Sequence, residues 1–179
     1  LLQHIGVLSK GDRGSVSFAY QPAWLNHAHG FQLDPELDMQ QGEFHPANSN
    51  FSVFMDSCPD RWGQILMTRR ENIEAKEEGR TPRTLAPWDF LLGVQDCTRM
   101  GALRYSLPEE QIFLANEAMA APPVAKMAEL QAIAYEVTKK KQADFNKIKV
   151  WLKVLDAPGA SLGGARPKAN ISDDDDHLW

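Results

Sequence analysis

The chain opens with the alternation of apolar and polar residues that is typical of a β-hairpin. Residues 3–8 and 14–20 each alternate with a period of two, as half-buried strands do. The apolar positions of the second segment share one face; they are Val16, Phe18 and Tyr20. Between the two segments, residues 10–14 read KGDRG, which favours a turn. We therefore predict a hairpin at the amino-terminal end.

Farther along, the spacing of apolar residues changes to that of an amphipathic helix. Ser57 is a good N-cap, Pro59 suits a first helical turn, and Asp60 stands where a capping-box partner would. Apolar residues then recur on one helical face: Trp62, Ile65, Leu66 and Ile73. We predict a helix that runs to about Glu78 and stops at Gly79, because glycine ends helices readily.

Shorter elements flank this helix. Residues 21–50 are rich in Pro, Asn, His and Gln, and we expect an ordered loop there with a short helix at residues 23–25. A second helix is predicted over residues 87–92 and ends at Gly93. Residues 100–107 read as a strand.

An Ala/Pro-rich linker at residues 115–124 is the best internal boundary. It divides the chain into a strand-and-helix subdomain at 1–114 and a second part at 115–179. The second part begins with two amphipathic helices, around residues 127–137 and 145–155. The fold class expected is α+β, with a small antiparallel sheet and helices in the amino-terminal subdomain.

Composition excludes several classes of protein. The 179 residues are 43% hydrophobic and 24% charged, with a net charge of -5, which disfavours disorder and a nucleic-acid footprint spread over the surface. Cys58 and Cys97 show no metal-ligand spacing, so we expect reduced thiols. No apolar run is long enough for a membrane span, and a cytoplasmic location is expected. The chain starts without Met inside a predicted strand and stops just after a predicted turn, so we expect both ends to be cut.

The segment with the clearest potential for chemistry is rich in glycine. Residues 158–169 read PGASLGGARPKA, between a predicted helix and a predicted strand at 168–172. Small residues let backbone N–H groups approach an anion closely and cradle a phosphate. A nucleotide-binding Walker loop is disfavoured, because Ala165 stands where its lysine must be. On composition alone, a flexible turn before a strand is the favoured explanation of the segment.

The amino-acid sequences of three separated segments resemble motifs of the HipA-type family of kinases. Residues 161–168 read SLGGARPK and look like the signature loop of that family. Residues 56–63 read DSCPDRWG and resemble its D-S-x-P-D-x-W-G segment. Residues 90–94 and 99–105, FLLGV and RMGALRY, resemble a further motif. Three motifs in the family's order make coincidence improbable.

The resemblance implies the amino-terminal portion of a serine/threonine protein kinase, with the start of a protein-kinase-like N-lobe. Such kinases use ATP and Mg²⁺, act as toxins, and are restrained by a HipB-like DNA-binding antitoxin, so contact with nucleic acid would be indirect. The loop residues carried over as ATP contacts are Gly163, Gly164, Ala165, Arg166, Pro167 and Lys168. Ser161 matches the loop serine that these kinases autophosphorylate, and the substrate would be a protein.

The chain departs from the family pattern because no catalytic residue is identifiable in it. Phosphoryl transfer needs a strand lysine, an aspartate near the attacking hydroxyl and magnesium ligands, and neither HRD nor DFG occurs. An alternative function is therefore a non-catalytic module that docks on a kinase or an antitoxin and regulates it. A DNA-binding helical module is disfavoured by the acidic charge. Asp56 and Asp60 are better explained by a turn and a helix start than by a catalytic carboxylate pair.

Overall fold

The structure is a computed structural model of the chain. The residues that it describes are 2–12, 14–108 and 112–115, together with 128, 131, 132, 135 and 164. By its internal contacts the chain divides into two compact units, Leu1–Asp56 and Ser57–Trp179.

The first unit begins with the hairpin that the alternating pattern predicts. Strand β1 (Gly6–Lys10) pairs antiparallel with β2 (Val16–Tyr20), with Gly6 opposite Tyr20 and Lys10 opposite Val16. The turn is closed by the Gly11 N–H, which donates to the Ser15 carbonyl at 2.8 Å. A Cβ atom on Gly6 would lie 2.4 Å from the Phe18 ring, so only glycine fits beneath that ring.

Aromatic side chains form the core of the first unit. Phe18 packs edge-on against Tyr20 with ring centroids 4.9 Å apart, and it also contacts Phe54 at 5.3 Å. Helix α1 (Pro22–Leu25) buries Trp24 and confirms the short helix predicted at residues 23–25. Helix α2 (Ser52–Met55), which buries Phe54, was missed because four residues are too few to show a period.

Side-chain hydrogen bonds order the loop between α1 and α2. The buried Asp34 carboxylate accepts the backbone N–H of Glu36 at 3.0 Å and that of Val53 at 2.9 Å. The Tyr20 hydroxyl donates to the Leu37 carbonyl at 3.1 Å and accepts the Leu33 N–H at 3.0 Å. Since these bonds replace a backbone ladder, the predicted ordered loop needs almost no regular secondary structure.

The second unit is built on helix α3 (Arg61–Glu77) and helix α4 (Pro87–Gly93). The apolar face of α3 is buried and contains Trp62, Leu66, Met67 and Ile73. Gly79 has φ +67° and follows the helix, and the Arg80 N–H donates to the Ala75 carbonyl at 2.9 Å. That six-residue closure is a Schellman motif, so the predicted stop at Gly79 is confirmed. Helix α4 likewise matches the prediction, and a 3₁₀ turn (Asp96–Thr98) follows it.

Two local predictions in the second unit are wrong. The capping box does not form: α3 begins at Arg61, its N-cap is Asp60, and no side chain caps it. The Ser57 hydroxyl is hydrogen-bonded to Tyr105 instead. Residues 100–107 are not a strand; they make a single bridge, between Ser106 and Phe113. A strand needs a neighbouring strand, and none lies along this segment in the described residues.

Much of the second half of the sequence lies outside the described residues. Within the first helix predicted after the linker, residues 128, 131, 132 and 135 have helical backbone. The predicted helix at 145–155, the strand at 168–172 and nearly all of the linker at 115–124 fall among the residues that are not described. The domain boundary and the kinase-like lobe therefore stay predictions. No helix among the described residues has the length and apolarity needed to cross a membrane.

A buried carboxylate fastens the end of α3 to the segment that leads to α4. The Glu71 side chain is 4% exposed and is paired with the Arg80 guanidinium. It also accepts the backbone N–H of Arg83 at 2.8 Å and lies 3.4 Å from the Arg83 guanidinium. These hydrogen bonds, those from Arg80 above all, lower the pKa of Glu71 from 4.5 to about 2.

We expect Glu71→Gln to destabilise the protein more at neutral pH than in acid. The carboxylate has its lowered pKa only in the folded state, so its contribution is complete above a pH of about 4.5 and is lost as the pH falls toward about 2. Urea unfolding at a pH of about 7 and of about 3 measures the free energy of unfolding of the variant and of the unmodified chain. The difference between the two should be smaller in acid.

Glu74→Gln is the matched control for this test. The Glu74 carboxylate is 49% exposed and lies 3.8 Å from Arg70, so its removal should change stability little at either pH. If Glu71→Gln lowered the free energy of unfolding by the same amount at both pH values, the role assigned to the Glu71 carboxylate would be contradicted.

Candidate functional site

A buried guanidinium lies at the centre of the region where the sequence motifs meet. Arg99 is 9% exposed, and its terminal nitrogens donate to three backbone carbonyls, those of Ser57 at 3.2 Å, Leu91 at 2.7 Å and Val94 at 2.9 Å. The last two belong to the carboxyl-terminal end of α4, where carbonyls lack partners within the helix and positive charge is favourable. Arg99 therefore caps α4 and binds the segment before α3 to it.

Tyr105 completes the surroundings of this guanidinium. The Arg99 guanidinium lies 4.7 Å from the centre of the Tyr105 ring, a favourable cation–π distance. The Tyr105 hydroxyl is hydrogen-bonded to the Ser57 hydroxyl at 2.9 Å, and burial raises the pKa of Tyr105. Burial also lowers the pKa of Arg99. Residues of the segments DSCPDRWG, FLLGV and RMGALRY thus meet at one place, with Ser57 42 positions from Arg99 and 48 positions from Tyr105 along the chain.

A second arginine of the same motif is held by an ordinary ion pair. The Asp96 side chain is 1% exposed, and the Arg104 Nε lies 2.9 Å and 3.1 Å from its two carboxylate oxygens. The Arg104 guanidinium also stacks on Phe113, 3.6 Å from the ring centre. The two arginines of the segment RMGALRY are therefore structural: Arg99 is buried, and Arg104, although its side chain is 38% exposed, is held by the Asp96 carboxylate.

The start of α3 contacts the Gly-rich segment. The Trp62 N–H donates to the Gly164 carbonyl at 3.1 Å, and the Gly164 N–H donates to the Asp60 carboxylate. Trp62 is the second helical residue, so its N–H has no partner inside the helix. We call this pair of hydrogen bonds the Gly164 cap. It takes the place of the side-chain cap that α3 lacks.

The backbone at Gly164 explains why glycine occupies the position. Gly164 has φ +93°, in the region that favours glycine and strains other residues. Gly164 is exposed, whereas the neighbouring Trp62 side chain is fully buried. The geometry therefore combines a helix start with a buried Trp62 and an exposed peptide whose N–H already binds an anionic group. Chemically, that N–H has the character of an anion-binding donor.

The structure describes one of the predicted site residues, Gly164, and brings it to the segment DSCPDRWG. The predicted positions that lie outside the described residues are Ser161, Gly163, Ala165, Arg166, Pro167 and Lys168. Sequence reasoning missed Asp60 as the partner of Gly164 and Arg99 as the buried centre. Both residues belong to the motifs DSCPDRWG and RMGALRY, and this membership was the available signal of their importance. The local sequence does not indicate contacts between residues 42 or 104 positions apart.

Neither a cysteine nucleophile nor a metal site is supported by the described residues. Burial raises the pKa of the Cys58 thiol to about 11, although Arg99 opposes the shift, so the thiol is protonated at neutral pH and is a poor nucleophile. Both cysteines are free thiols, as expected. Among the described residues, no group of three or more His, Cys, Asp or Glu side chains is arranged to hold a metal ion.

Comparison with known families gives a match over the amino-terminal part of the chain. The model of the HipA N-terminal domain matches residues 2–106, which is more than half of the chain. No match to a curated protein was found. The matched range includes the segment DSCPDRWG and both arginines of RMGALRY, and it ends before the Gly-rich segment.

We expect Arg99→Met to lower the free energy of unfolding by roughly 2–5 kcal/mol, because three buried carbonyls lose their donor. Arg99→Lys should recover only part of this loss, since an ammonium group lacks the planar fork that reaches several acceptors. Urea unfolding of the chain measures both effects.

Arg61→Met provides the control, because Arg61 is exposed at the first position of α3. Its effect should stay within about 0.5 kcal/mol. A loss for Arg99→Met no larger than for Arg61→Met would disprove the central role of the buried guanidinium.

Proposed function

The chain belongs to the HipA N-terminal domain family, and from this membership we propose that it is the amino-terminal part of a HipA-like serine/threonine protein kinase. In this proposal, residues 163–168 cover the phosphates of ATP, with Mg²⁺ bound in the complete kinase. The catalytic residues belong to the complete kinase and not to this chain. The kinase acts as a toxin of a toxin–antitoxin system in the cytoplasm.

The observation that carries the proposal is the Gly164 cap. A backbone N–H that donates to a carboxylate in this structure has the donor and the exposure that a phosphate oxygen requires. Glycine at φ +93° lets the backbone approach an anion closely, because no side chain intervenes. The segment that contacts Gly164 also lies within the range matched by the family model, which supports a common role for the two motifs.

Lys168 would supply the positive charge that backbone donors lack. A lysine ammonium acts as a point charge on phosphate, whereas the glycines contribute N–H groups and space. Arg166 stands two positions earlier and has the same sign. Arg99 donates to backbone carbonyls and Arg104 is paired with Asp96, so neither guanidinium is available to bind phosphate.

The proposed partners follow from the kinase assignment. They are a protein substrate and a HipB-like DNA-binding antitoxin, through which contact with DNA is indirect. The net charge of -5 is consistent with a chain that does not bind nucleic acid directly.

A non-catalytic docking module is the second candidate. It is favoured by one observation, that the family match ends at residue 106 and leaves the Gly-rich segment outside. Such a module would bind a kinase or an antitoxin and have no nucleotide affinity, so the nucleotide titration below separates the two functions.

We expect Lys168→Gln in the complete kinase to weaken the binding of ATP with Mg²⁺ by about 10- to 100-fold, the cost of one charge-assisted hydrogen bond to phosphate. Isothermal titration calorimetry measures the dissociation constant. Lys10→Gln, at the exposed end of β1, makes the same charge change and should leave binding unaltered. Equal affinities for the two variants would count against a phosphate contact at Lys168, and no binding by the unmodified kinase would favour the docking module.

We expect Ser161→Ala to abolish autophosphorylation of the Gly-rich segment in the complete kinase. A phosphate on Ser161 adds nearly two negative charges close to the triphosphate, so repulsion should drive the segment away from the nucleotide and stop activity. Mass spectrometry after incubation with ATP and Mg²⁺ locates the phosphate, and Ser172→Ala serves as the control. An unmodified kinase that carries no phosphate on Ser161 after this incubation would refute the assignment.

A further inference from the structure

The N-cap of α3 has an arrangement that leaves its own side chain free for a second task. Asp60 has φ -72° and ψ -176°, the extended backbone that an N-cap residue adopts. Aspartate is among the best N-cap residues because its carboxylate accepts an N–H of the first turn. Here it makes no such bond and accepts the Gly164 N–H instead.

The Gly164 peptide compensates for the missing side-chain cap. Its carbonyl accepts the Trp62 N–H, one of the two donors that an N-cap carboxylate ordinarily serves. The donor at the helix start is therefore satisfied as long as Gly164 is bound. If Gly164 moved away, the Trp62 N–H would lose its acceptor and the Asp60 carboxylate would lose its donor at the same time.

We propose that Asp60 is a two-position switch that either holds the Gly164 peptide or caps α3 itself. In the first position the carboxylate accepts the Gly164 N–H, as in this structure. In the second position the same carboxylate turns to the first-turn N–H groups of α3, since the backbone of Asp60 already has the conformation that self-capping needs. The second position satisfies the groups that release of Gly164 exposes, so release costs little.

The switch bears on nucleotide binding, and this step rests on the function proposed above. An N–H group donates one strong hydrogen bond, so Gly164 cannot serve the Asp60 carboxylate and a phosphate oxygen together. The first position therefore withholds a phosphate donor, because the Asp60 carboxylate occupies the Gly164 N–H. Binding of ATP selects the second position, because only that position leaves the Gly164 N–H available.

Asp60→Asn is the informative variant. Asparagine caps helices about as well as aspartate, so α3 should stay intact. Its neutral amide accepts the Gly164 N–H more weakly than a carboxylate does, and the balance should move toward release. Asp56→Asn is the matched control, because it makes the same charge change four positions earlier, at an exposed residue with no side-chain hydrogen bond to another described residue.

Amide hydrogen exchange of the chain, followed by NMR, tests the switch without nucleotide. We expect exchange at Gly164 to become about 3- to 10-fold faster in Asp60→Asn, as a charge-assisted bond is replaced by a neutral one, and to stay unchanged in Asp56→Asn. Asp60→Ala can neither hold Gly164 nor cap the helix, so exchange at both Gly164 and Trp62 should rise. Unchanged exchange at Gly164 in Asp60→Asn and Asp60→Ala would overturn the proposal.

Titration of the complete kinase with ATP and Mg²⁺ tests the link to the nucleotide. We expect Asp60→Asn to bind about 3- to 10-fold more tightly than the unmodified kinase, because the competing carboxylate is gone. Faster exchange at Gly164 without tighter binding would overturn the competition. If the unmodified kinase bound no nucleotide at all, the proposed function would fall and the competition with it, while the two positions of Asp60 would still be judged by exchange at Gly164.

Discussion

A positive charge buried among backbone carbonyls is the constraint on which the second unit depends. Removing a guanidinium from water is costly unless its donors find acceptors. The terminal nitrogens of Arg99 find theirs on Ser57, Leu91 and Val94, whereas its buried Nε has no hydrogen-bond partner among the described residues. These acceptors belong to two separate segments, so the charge can be buried only when the end of α4 and the segment before α3 lie together.

Arg99 and Arg104 have different kinds of hydrogen-bond acceptor. Arg104 is neutralised by Asp96, whereas Arg99 has carbonyl partners and an aromatic ring and no carboxylate within hydrogen-bonding reach among the described residues. Backbone carbonyl dipoles have fixed directions. The hydrogen bonds of Arg99 therefore fix the relative positions of the backbone segments that accept them, and they do not neutralise its charge. A segment held in this way is a suitable base for a switch, since the backbone stays fixed while one side chain changes partner.

Prediction from sequence succeeded where local chemistry decides the structure. The hairpin, helix α4 and the end of α3 at Gly79 depend on alternation, helical spacing and a glycine with positive φ, all of which lie within a few residues of one another. The capping box failed because Ser57 has a better partner in Tyr105, 48 positions away. The predicted strand at 100–107 failed for a similar reason, because Arg104 and Tyr105 are drawn to partners in the interior.

The candidate site shows the same division between local and distant information. Its members could be recognised as motifs, yet the contact that joins them spans 104 positions and leaves no periodic trace. A glycine that supplies both a donor and an acceptor to a helix start can replace a side-chain cap completely, and the N-cap residue is then no longer needed for the helix alone. For that reason the Asp60 carboxylate can accept the Gly164 N–H while the Trp62 N–H at the start of α3 keeps an acceptor, and the two motifs are joined by a pair of hydrogen bonds.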